Sequence, residues 1–286
     1  MTCRSIPAAA LTALVALAAP LQSQTPPSDI AQERSAYAEW LAKAPNSPLA
    51  AVALQPIGPG IRLGPPDADV PLEGVGEHRV TERNGVVTLE GPNGARILPP
   101  GGPVTVGSYT VTSSGVSGRR VVTVYDPTRE DKTAEYYPYD PELVFVGPMS
   151  PPDRPGRLRV LALDGIETDA AEAGTVVVPI SGRPVRLRVR RIPTGIEDES
   201  ELEIFFRDGT NAEGTYPAGR FVTLVPAGDG RYRLDFNRAR NPFCAYSSAF
   251  PCPAPWRGNT IEAKVEAGER YAGGGLSAPP GGLEAR

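Results

Sequence analysis

The stretch LEIFFRDGTNAEGTYPAGRFVTLVPAGDGRYRLDFN, residues 202–237, decides the fold class of this chain. It contains three short runs dominated by apolar, β-branched or aromatic side chains: Leu202–Arg207, Phe221–Val225 and Tyr232–Asn237. Each run has the length of one strand, and Asp208-Gly209 and Asp229-Gly230 stand between them. Because Asp and Gly tolerate the positive φ angles of tight turns, the stretch predicts consecutive antiparallel strands.

The same pattern of short strands and turns runs through most of the chain. Eight further strands are predicted, at Val86–Glu90, Val104–Thr112, Arg119–Tyr125, Leu143–Val146, Leu158–Ala162, Val176–Ile180, Val185–Arg191 and Ile261–Val265. No helical pattern lies between them, which favours an antiparallel β-sandwich or barrel-like core over parallel βαβ units. One helix is predicted near the N-terminus, where Ile30, Tyr37 and Leu41 recur at helical spacing before Pro45 ends it.

A Pro- and Gly-rich stretch, residues 147–156, suggests a boundary between two closely packed β-lobes, with a single long loop as the alternative. The predicted organisation is a signal segment (1–24), an N-terminal helix (25–48), an N-terminal β-lobe (49–150), a C-terminal β-lobe (151–272) and a tail (273–286). The tail is rich in Gly and Pro and has almost no large apolar residues, which predicts disorder.

Residues 1–24 have the pattern of a secretory signal. Arg4 precedes the apolar run Ala8–Ala19, which is too short to span a bilayer. A buried helix at the start of the domain is the alternative. No later run approaches the roughly 18 apolar residues of a membrane span. We therefore expect an exported, soluble mature protein, periplasmic or extracellular, without an integral membrane segment.

Composition excludes several classes of function. The chain has 286 residues and a formal net charge of −4, which excludes a strongly basic nucleic-acid binder. His78 is the single histidine, so a metal site built from several histidines is excluded and none is expected. The patterns of a nucleophile elbow, a P-loop, a zincin helix and a C-x-x-C pair are absent. No cofactor is expected.

Two cysteines, Cys244 and Cys252, remain once the signal segment is removed. An even pair in an oxidising compartment favours a disulfide. Zinc binding through two thiolates without a nearby histidine is a weaker interpretation, and a free reactive thiol is the third.

A cluster of polar residues lies within residues 202–237 and just beyond them. In a regular strand Arg220 lies between apolar neighbours, so its guanidinium is partly desolvated and needs a carboxylate partner, for which Asp235 and Asp208 are the candidates. Asp235 and Asn237 share one strand face, and Asn241 opens a Pro-rich loop beyond it. The cluster is either a buried pair that sets strand register or a pocket in which Arg220 holds an anion.

The C-terminal third of the chain contains a series of short motifs: Asp208-Gly209-Thr210, Thr215-Tyr216, Gly219-Arg220-Phe221, Asp235-Phe236-Asn237, Asn241-Pro242, Cys244-Ala245-Tyr246, Cys252-Pro253, Asn259 and Ala267-Gly268-Glu269. They resemble the C-terminal signature of a bacterial family, domain of unknown function 1684. Arg34, Trp40 and Ser47-Pro48-Leu49 resemble its opening helix and S-P-L element. The resemblance implies a β-rich domain with a polar signature centred on Arg220, Asp235, Asn237 and Asn241, and it implies no reaction.

Three functions are compatible with these residues. The preferred one is a binding module for a small polar or anionic ligand or an envelope component, with candidate residues Arg220, Asp235, Asn237, Asn241, Tyr246, Asp208 and Tyr216. The second is a hydrolase that uses Asp235 with Asp208 or Glu213, or Cys244 as a nucleophile. The third is a structural or interaction protein, which predicts that Arg220, Asp235 and Asn237 are buried and hydrogen-bonded within the protein.

Overall fold

The computed structural model describes residues 25–128, 132–194, 199–211, 213–254 and 256–271. The chain is mainly β, with three sheets rich in antiparallel pairs and one N-terminal helix, which confirms the predicted fold class. The predicted signal segment, 1–24, and the predicted disordered tail, 273–286, lie outside the described residues. The division into two lobes at residue 150 stays a prediction.

Helix α1 spans Ser28–Lys43. The strands are β1 (Ala51–Pro56), β2 (Ile61–Gly64), β3 (Val70–Pro71), β4 (His78–Arg83), β5 (Val86–Gly91), β6 (Gly94–Ile97), β7 (Val104–Val106), β8 (Tyr109–Ser114), β9 (Val121–Tyr125), β10 (Val144–Pro148), β11 (Arg157–Leu161), β12 (Glu167–Ile180), β13 (Arg183–Pro193), β14 (Ser200–Phe206), β15 (Arg220–Gly228) and β16 (Arg231–Asp235). Short 3₁₀ turns lie at Pro48–Ala50, Pro141–Leu143, Phe236–Arg238 and Phe243–Ala245.

Two sheets from the first half of the chain share one hydrophobic core. The four-stranded sheet has the order β1-β9-β8-β7, and the five-stranded sheet has the order β3-β2-β4-β5-β6. Leu63, Val80 and Leu89 from the larger sheet belong to the same core as Val111 and Val124 from the smaller one. Alternate side chains of each strand point inward, and the buried apolar faces stabilise the packed pair.

The second half of the chain forms a seven-stranded antiparallel sheet with the order β10-β16-β15-β14-β13-β12-β11. Leu187, Ile204 and Phe206 are fully buried on the face that forms its core. An isolated bridge between Ser150 and Thr175 brings the chain after β10 alongside β12. Across the described ranges, none of the sheets closes into a barrel.

Helix α1 packs against the chain that follows β16. The Trp40 ring lies 5.9 Å from the Phe243 ring, centroid to centroid. Glu33 accepts hydrogen bonds from Arg238 and Arg240, the latter at 2.6 Å. Aromatic contact and ion pairs therefore hold the N-terminal helix on the same region that carries the candidate residues.

Three predicted strands differ from the structure. The predicted strand Val104–Thr112 is two antiparallel strands, β7 and β8, because the chain turns at Gly107, where φ is 60°. The third run of the deciding stretch was predicted to reach Asn237, whereas β16 ends at Asp235, because the Asp235 carboxylate accepts the Asn237 N–H at 3.0 Å and starts a 3₁₀ turn. The predicted strand Ile261–Val265 is absent from the described structure, since β14 already has β13 and β15 on its two edges. That segment instead meets the end of β14, where the Ile261 N–H donates to the Arg207 carbonyl at 2.8 Å.

Candidate functional site

Arg220, the first residue of β15, is the largest fully buried side chain of the described structure. Its Nη2 donates to Asp208 Oδ2 at 2.7 Å and to the Val265 carbonyl at 2.9 Å. Its Nη1 donates to the carbonyls of Ala267 and Glu269. The planar guanidinium, with its several fixed donors, thus holds the backbone of residues 265–269 against the sheet.

Asp208 is the carboxylate partner of Arg220, which decides between the two predicted partners. Its Oδ1 accepts hydrogen bonds from the Thr210 N–H at 2.7 Å, the Thr210 hydroxyl at 2.6 Å and the Val265 N–H at 3.3 Å. The Arg220–Asp208 pair is fully shielded from solvent. Because protein groups satisfy both carboxylate oxygens, this pair acts as a structural connection between β14, β15 and residue 265.

Asp235 and Asn237 form a second buried connection. Asp235 Oδ1 accepts the backbone N–H and the side-chain amide of Asn237, both at 3.0 Å, and its Oδ2 accepts Arg233 Nη2 at 3.1 Å. The Asn237 amide in turn holds both backbone groups of Asp140: it accepts the N–H at 2.9 Å and donates to the carbonyl at 2.8 Å. Asn237 therefore sets the position of Asp140, a residue far away in sequence.

Asn241 and Tyr246 meet at a third buried group, the carboxyl of Glu269. The Asn241 N–H donates to Glu269 Oε2 at 2.8 Å, and the Tyr246 hydroxyl donates to Glu269 Oε1. Tyr37 of helix α1 lies next to them, with its hydroxyl 3.4 Å from the Tyr246 hydroxyl. Burial raises the pKa of Glu269 to about 7, although the hydrogen bonds from Tyr246 and Asn241 oppose this rise. Burial and the nearby Glu269 raise the pKa of Tyr246.

Tyr216 lies beside the cysteine pair. Its hydroxyl is 3.2 Å from both the Cys244 carbonyl oxygen and the Cys252 sulfur. The Cα atoms of Cys244 and Cys252 are 5.5 Å apart, within the usual range for a disulfide, and their sulfur atoms face each other. The geometry thus makes the predicted disulfide possible, with Tyr216 packed against it.

The groups named for a hydrolase have separate partners in the structure. Asp208 is bound by Arg220, Asp235 is bound by Asn237 and Arg233, and Glu213 pairs on the surface with Lys264 at 3.0 Å. Each of these carboxylates therefore has its own protein partner, and the geometry gives no support for a water or substrate shared between them.

A polar cavity of about 340 Å³ lies at one end of the seven-stranded sheet, next to these buried connections. Its lining residues are Asp140, Glu142, Leu143, Pro179, Ile180, Ser181, Gly182, Lys264 and Glu266. We call it the acidic cavity, because three of its four charged lining residues are carboxylates.

The buried connections hold the walls of the acidic cavity in place. Asn237 holds Asp140 on one wall. Arg220 and Asp208 hold Val265, which lies between the lining residues Lys264 and Glu266 on another wall. The third wall is the β12–β13 turn, where Ser181 and Gly182 have φ angles of 51° and 73°, as a two-residue hairpin turn requires.

The sequence reasoning missed the lining residues themselves. Asp140, Glu142, Lys264 and Glu266 stand in ordinary polar loops, and only their meeting in space distinguishes them. Glu269 belongs to the family signature, but the sequence did not indicate that its carboxyl is buried. Within the described ranges, no group of three or more His, Cys, Asp or Glu residues is placed to hold a metal ion, and no helix there is long and apolar enough to cross a membrane.

Comparison with known proteins gives a family and no activity. A family model described as "Protein of unknown function (DUF1684)" matches residues 129–270. No curated protein matches the chain. Among solved structures, the solution NMR structure of an uncharacterized protein from Haloarcula marismortui is 31% identical, covering 49% of this chain and 77% of that chain with a TM-score of 0.43.

Proposed function

Since the chain belongs to the DUF1684 family, whose description assigns no activity, we propose its function from the geometry alone. We propose that the protein is a binding module and that the acidic cavity takes a small polar ligand. The observation that carries the proposal is that three buried polar residues of the sequence signature, Arg220, Asp208 and Asn237, bind the backbone of the cavity walls. Buried side chains that are hydrogen-bonded to the backbone of a wall hold that wall rigidly, and rigid walls favour binding.

The charge of the lining narrows the expected ligand. Asp140, Glu142 and Glu266 outnumber Lys264, and Lys264 is already paired with Glu213. The field in the cavity therefore favours cationic ligands and neutral ligands with several hydroxyl donors over anionic ones. The Ser181 turn adds further polar groups to the lining, which suits a ligand with several hydroxyl or amine groups.

Three hexoses of nearly equal shape test the charge preference. Glucosamine is cationic near neutral pH, glucose is neutral and glucuronate is anionic. Calorimetric titration of the full chain should give affinities in the order glucosamine, glucose, glucuronate. Binding of glucuronate as tight as that of glucosamine, or no binding by any of the three, would refute the proposal.

Two variants of one segment locate the site. Glu266→Gln removes a carboxylate from the lining and should weaken glucosamine binding about tenfold, the typical effect of losing a hydrogen bond to a charged group. Glu262→Gln is the matched control, because Glu262 is largely exposed and lies outside the lining. Equal effects of the two changes would place the ligand elsewhere.

We also propose that the protein is exported, so that the binding module acts outside the cytoplasm after its signal segment is removed. The support is the sequence of residues 1–24: a positive charge followed by a short apolar run. N-terminal sequencing of protein recovered from outside the cytoplasm should begin close to residue 25. An intact N-terminus on the mature protein would contradict export by this route.

A further inference from the structure

A second cavity of about 340 Å³ lies in the first half of the chain, outside residues 129–270. It is bounded by the β5–β6 hairpin, by β7 and by the start of β4. Its lining residues are His78, Leu89, Gly91, Pro92, Asn93, Gly94, Ala95, Arg96, Thr105, Val106 and Gly107. We call it the His78 cavity.

The lining of the His78 cavity has a distinct chemistry. Arg96 is its one fully charged residue, and His78 is its one imidazole. Leu89 and Val106 are 1% exposed and supply an apolar floor from the shared core of the two sheets. A cation beside an apolar surface is the complement of a small organic anion.

Arg96 is held across the cavity. Its Nη2 donates to the carbonyl of Thr105 at 2.5 Å, which joins β6 to β7 over the space between them. One guanidinium nitrogen is thereby engaged, while the planar group has further N–H donors. The remaining N–H donors of this planar group match the two oxygens of a carboxylate.

His78 is also held in one position. Its Nδ1 is 2.8 Å from the Gly76 carbonyl oxygen, and since a carbonyl only accepts, Nδ1 carries the proton. The other edge of the ring lies against Gly91, where a Cβ atom would be 2.4 Å from Cδ2 and 2.5 Å from Nε2. Only glycine at position 91 permits this close approach, so the imidazole forms a fixed wall of the cavity.

We propose that the His78 cavity binds a small carboxylate with an apolar body, with Arg96 as the group that holds the carboxylate. The ligand's apolar part lies against Leu89 and Val106, and its charged end is held by Arg96, with the His78 ring as a fixed wall beside it. The site is separate from the acidic cavity in sequence and opposite to it in charge, so the two proposals succeed or fail independently.

The single histidine makes the test direct, because its imidazole NMR signals need no assignment. Benzoate is the probe and benzamide, of nearly the same shape without the charge, is its control. Titration of the full chain with benzoate to about 20 mM should shift the His78 signals saturably, a range that covers dissociation constants near 1 mM. Nuclear Overhauser contacts should join the benzoate ring to methyl groups of Leu89 and Val106.

Three variants test whether Arg96 binds the carboxylate of benzoate. Arg96→Gln should weaken benzoate binding at least about tenfold, since a hydrogen bond to a charged group typically contributes that much. Arg96→Lys should retain part of the affinity, and Arg83→Gln, on the neighbouring hairpin but outside the lining, should leave it unchanged. Unchanged thermal unfolding of all three would show that folding is intact.

Four results would overturn the proposal. They are the absence of a saturable shift with benzoate, equal binding of benzamide, full binding by Arg96→Gln, and contacts from the bound ring to residues outside the cavity. A loss of folding in Arg96→Gln leaves the first, second and fourth results decisive, because those are measured on the unaltered protein.

Discussion

Replacing Arg220 by Met tests most directly whether the buried Arg220–Asp208 ion pair stabilises the fold. The Arg220–Asp208 pair is completely shielded from solvent, and Arg220 donates to the Val265 and Ala267 carbonyls in addition to Asp208. Arg220→Met therefore leaves a buried carboxylate without its counter-charge and carbonyl groups without their donor. Removing one partner of a buried ion pair typically costs about 3–5 kcal/mol.

That cost is large compared with the total stability of a domain. Folded domains are stable by about 5–15 kcal/mol, so near the middle of that range Arg220→Met should remove about a third to a half of the stability. For a chain of this size the loss corresponds to a fall in Tm of roughly 6–20 °C. Urea denaturation followed by tryptophan fluorescence measures it, and Arg231→Met on the same sheet is the control, because Arg231 is exposed and its change should cost less than about 0.5 kcal/mol.

A double-mutant cycle separates the ion pair from simple loss of packing. Asp208→Asn alone should also destabilise, because it leaves the guanidinium buried without a counter-charge. The double variant Arg220→Met/Asp208→Asn should lose less than the sum of the two single variants by about 2 kcal/mol, since it leaves neither charge unpaired. Additive losses, or an Arg220→Met variant that loses less than about 1 kcal/mol, would refute the assignment of Asp208 as the partner.

Three further predictions concern the surroundings of the cluster. Burial raises the pKa of Glu269 from 4.5 to about 7. The protonated carboxyl therefore stabilises the folded state by about 3 kcal/mol below pH 4.5, and this contribution is lost as the pH rises through 7. Glu269→Gln should flatten the fall in urea-measured stability between pH 5 and 8, and an unchanged slope would contradict this. Reduction of the predicted Cys244–Cys252 disulfide should cost about 2–3 kcal/mol, and peptide mass mapping after alkylation without reduction should find neither thiol labelled. Glu33→Gln removes the negative charge and one of the two oxygens that accept from Arg238 and Arg240. It should cost about 1 kcal/mol and speed amide hydrogen exchange in α1; unchanged exchange there would show that the ion pairs do not hold the helix.

The sequence alone could not predict which aspartate, Asp208 or Asp235, forms the ion pair with Arg220. Both aspartates stood near Arg220 along the chain, and the expected strand pattern placed either within reach. The structure ends β16 at Asp235, turns that carboxylate toward Asn237, and leaves Asp208 at the end of β14 opposite the start of β15. The choice depends on the strand register Phe206↔Arg220, which is set by packing of the whole sheet.

Local patterns of neighbouring residues determined three features of the protein. Side-chain alternation and the Asp-Gly pairs predicted the β-rich fold, helical spacing predicted the N-terminal helix, and apolar neighbours predicted the burial of Arg220. The tertiary structure alone decided that residues 260–269 run across strand ends rather than as a strand, and that Asp140 meets Lys264 and Glu266 around one cavity. The reason is physical: a cavity wall is formed by segments more than a hundred residues apart in sequence. Long-range hydrogen bonds, such as those between Asn237 and Asp140, hold these segments together. Such contacts cannot be predicted from the pattern of neighbouring residues.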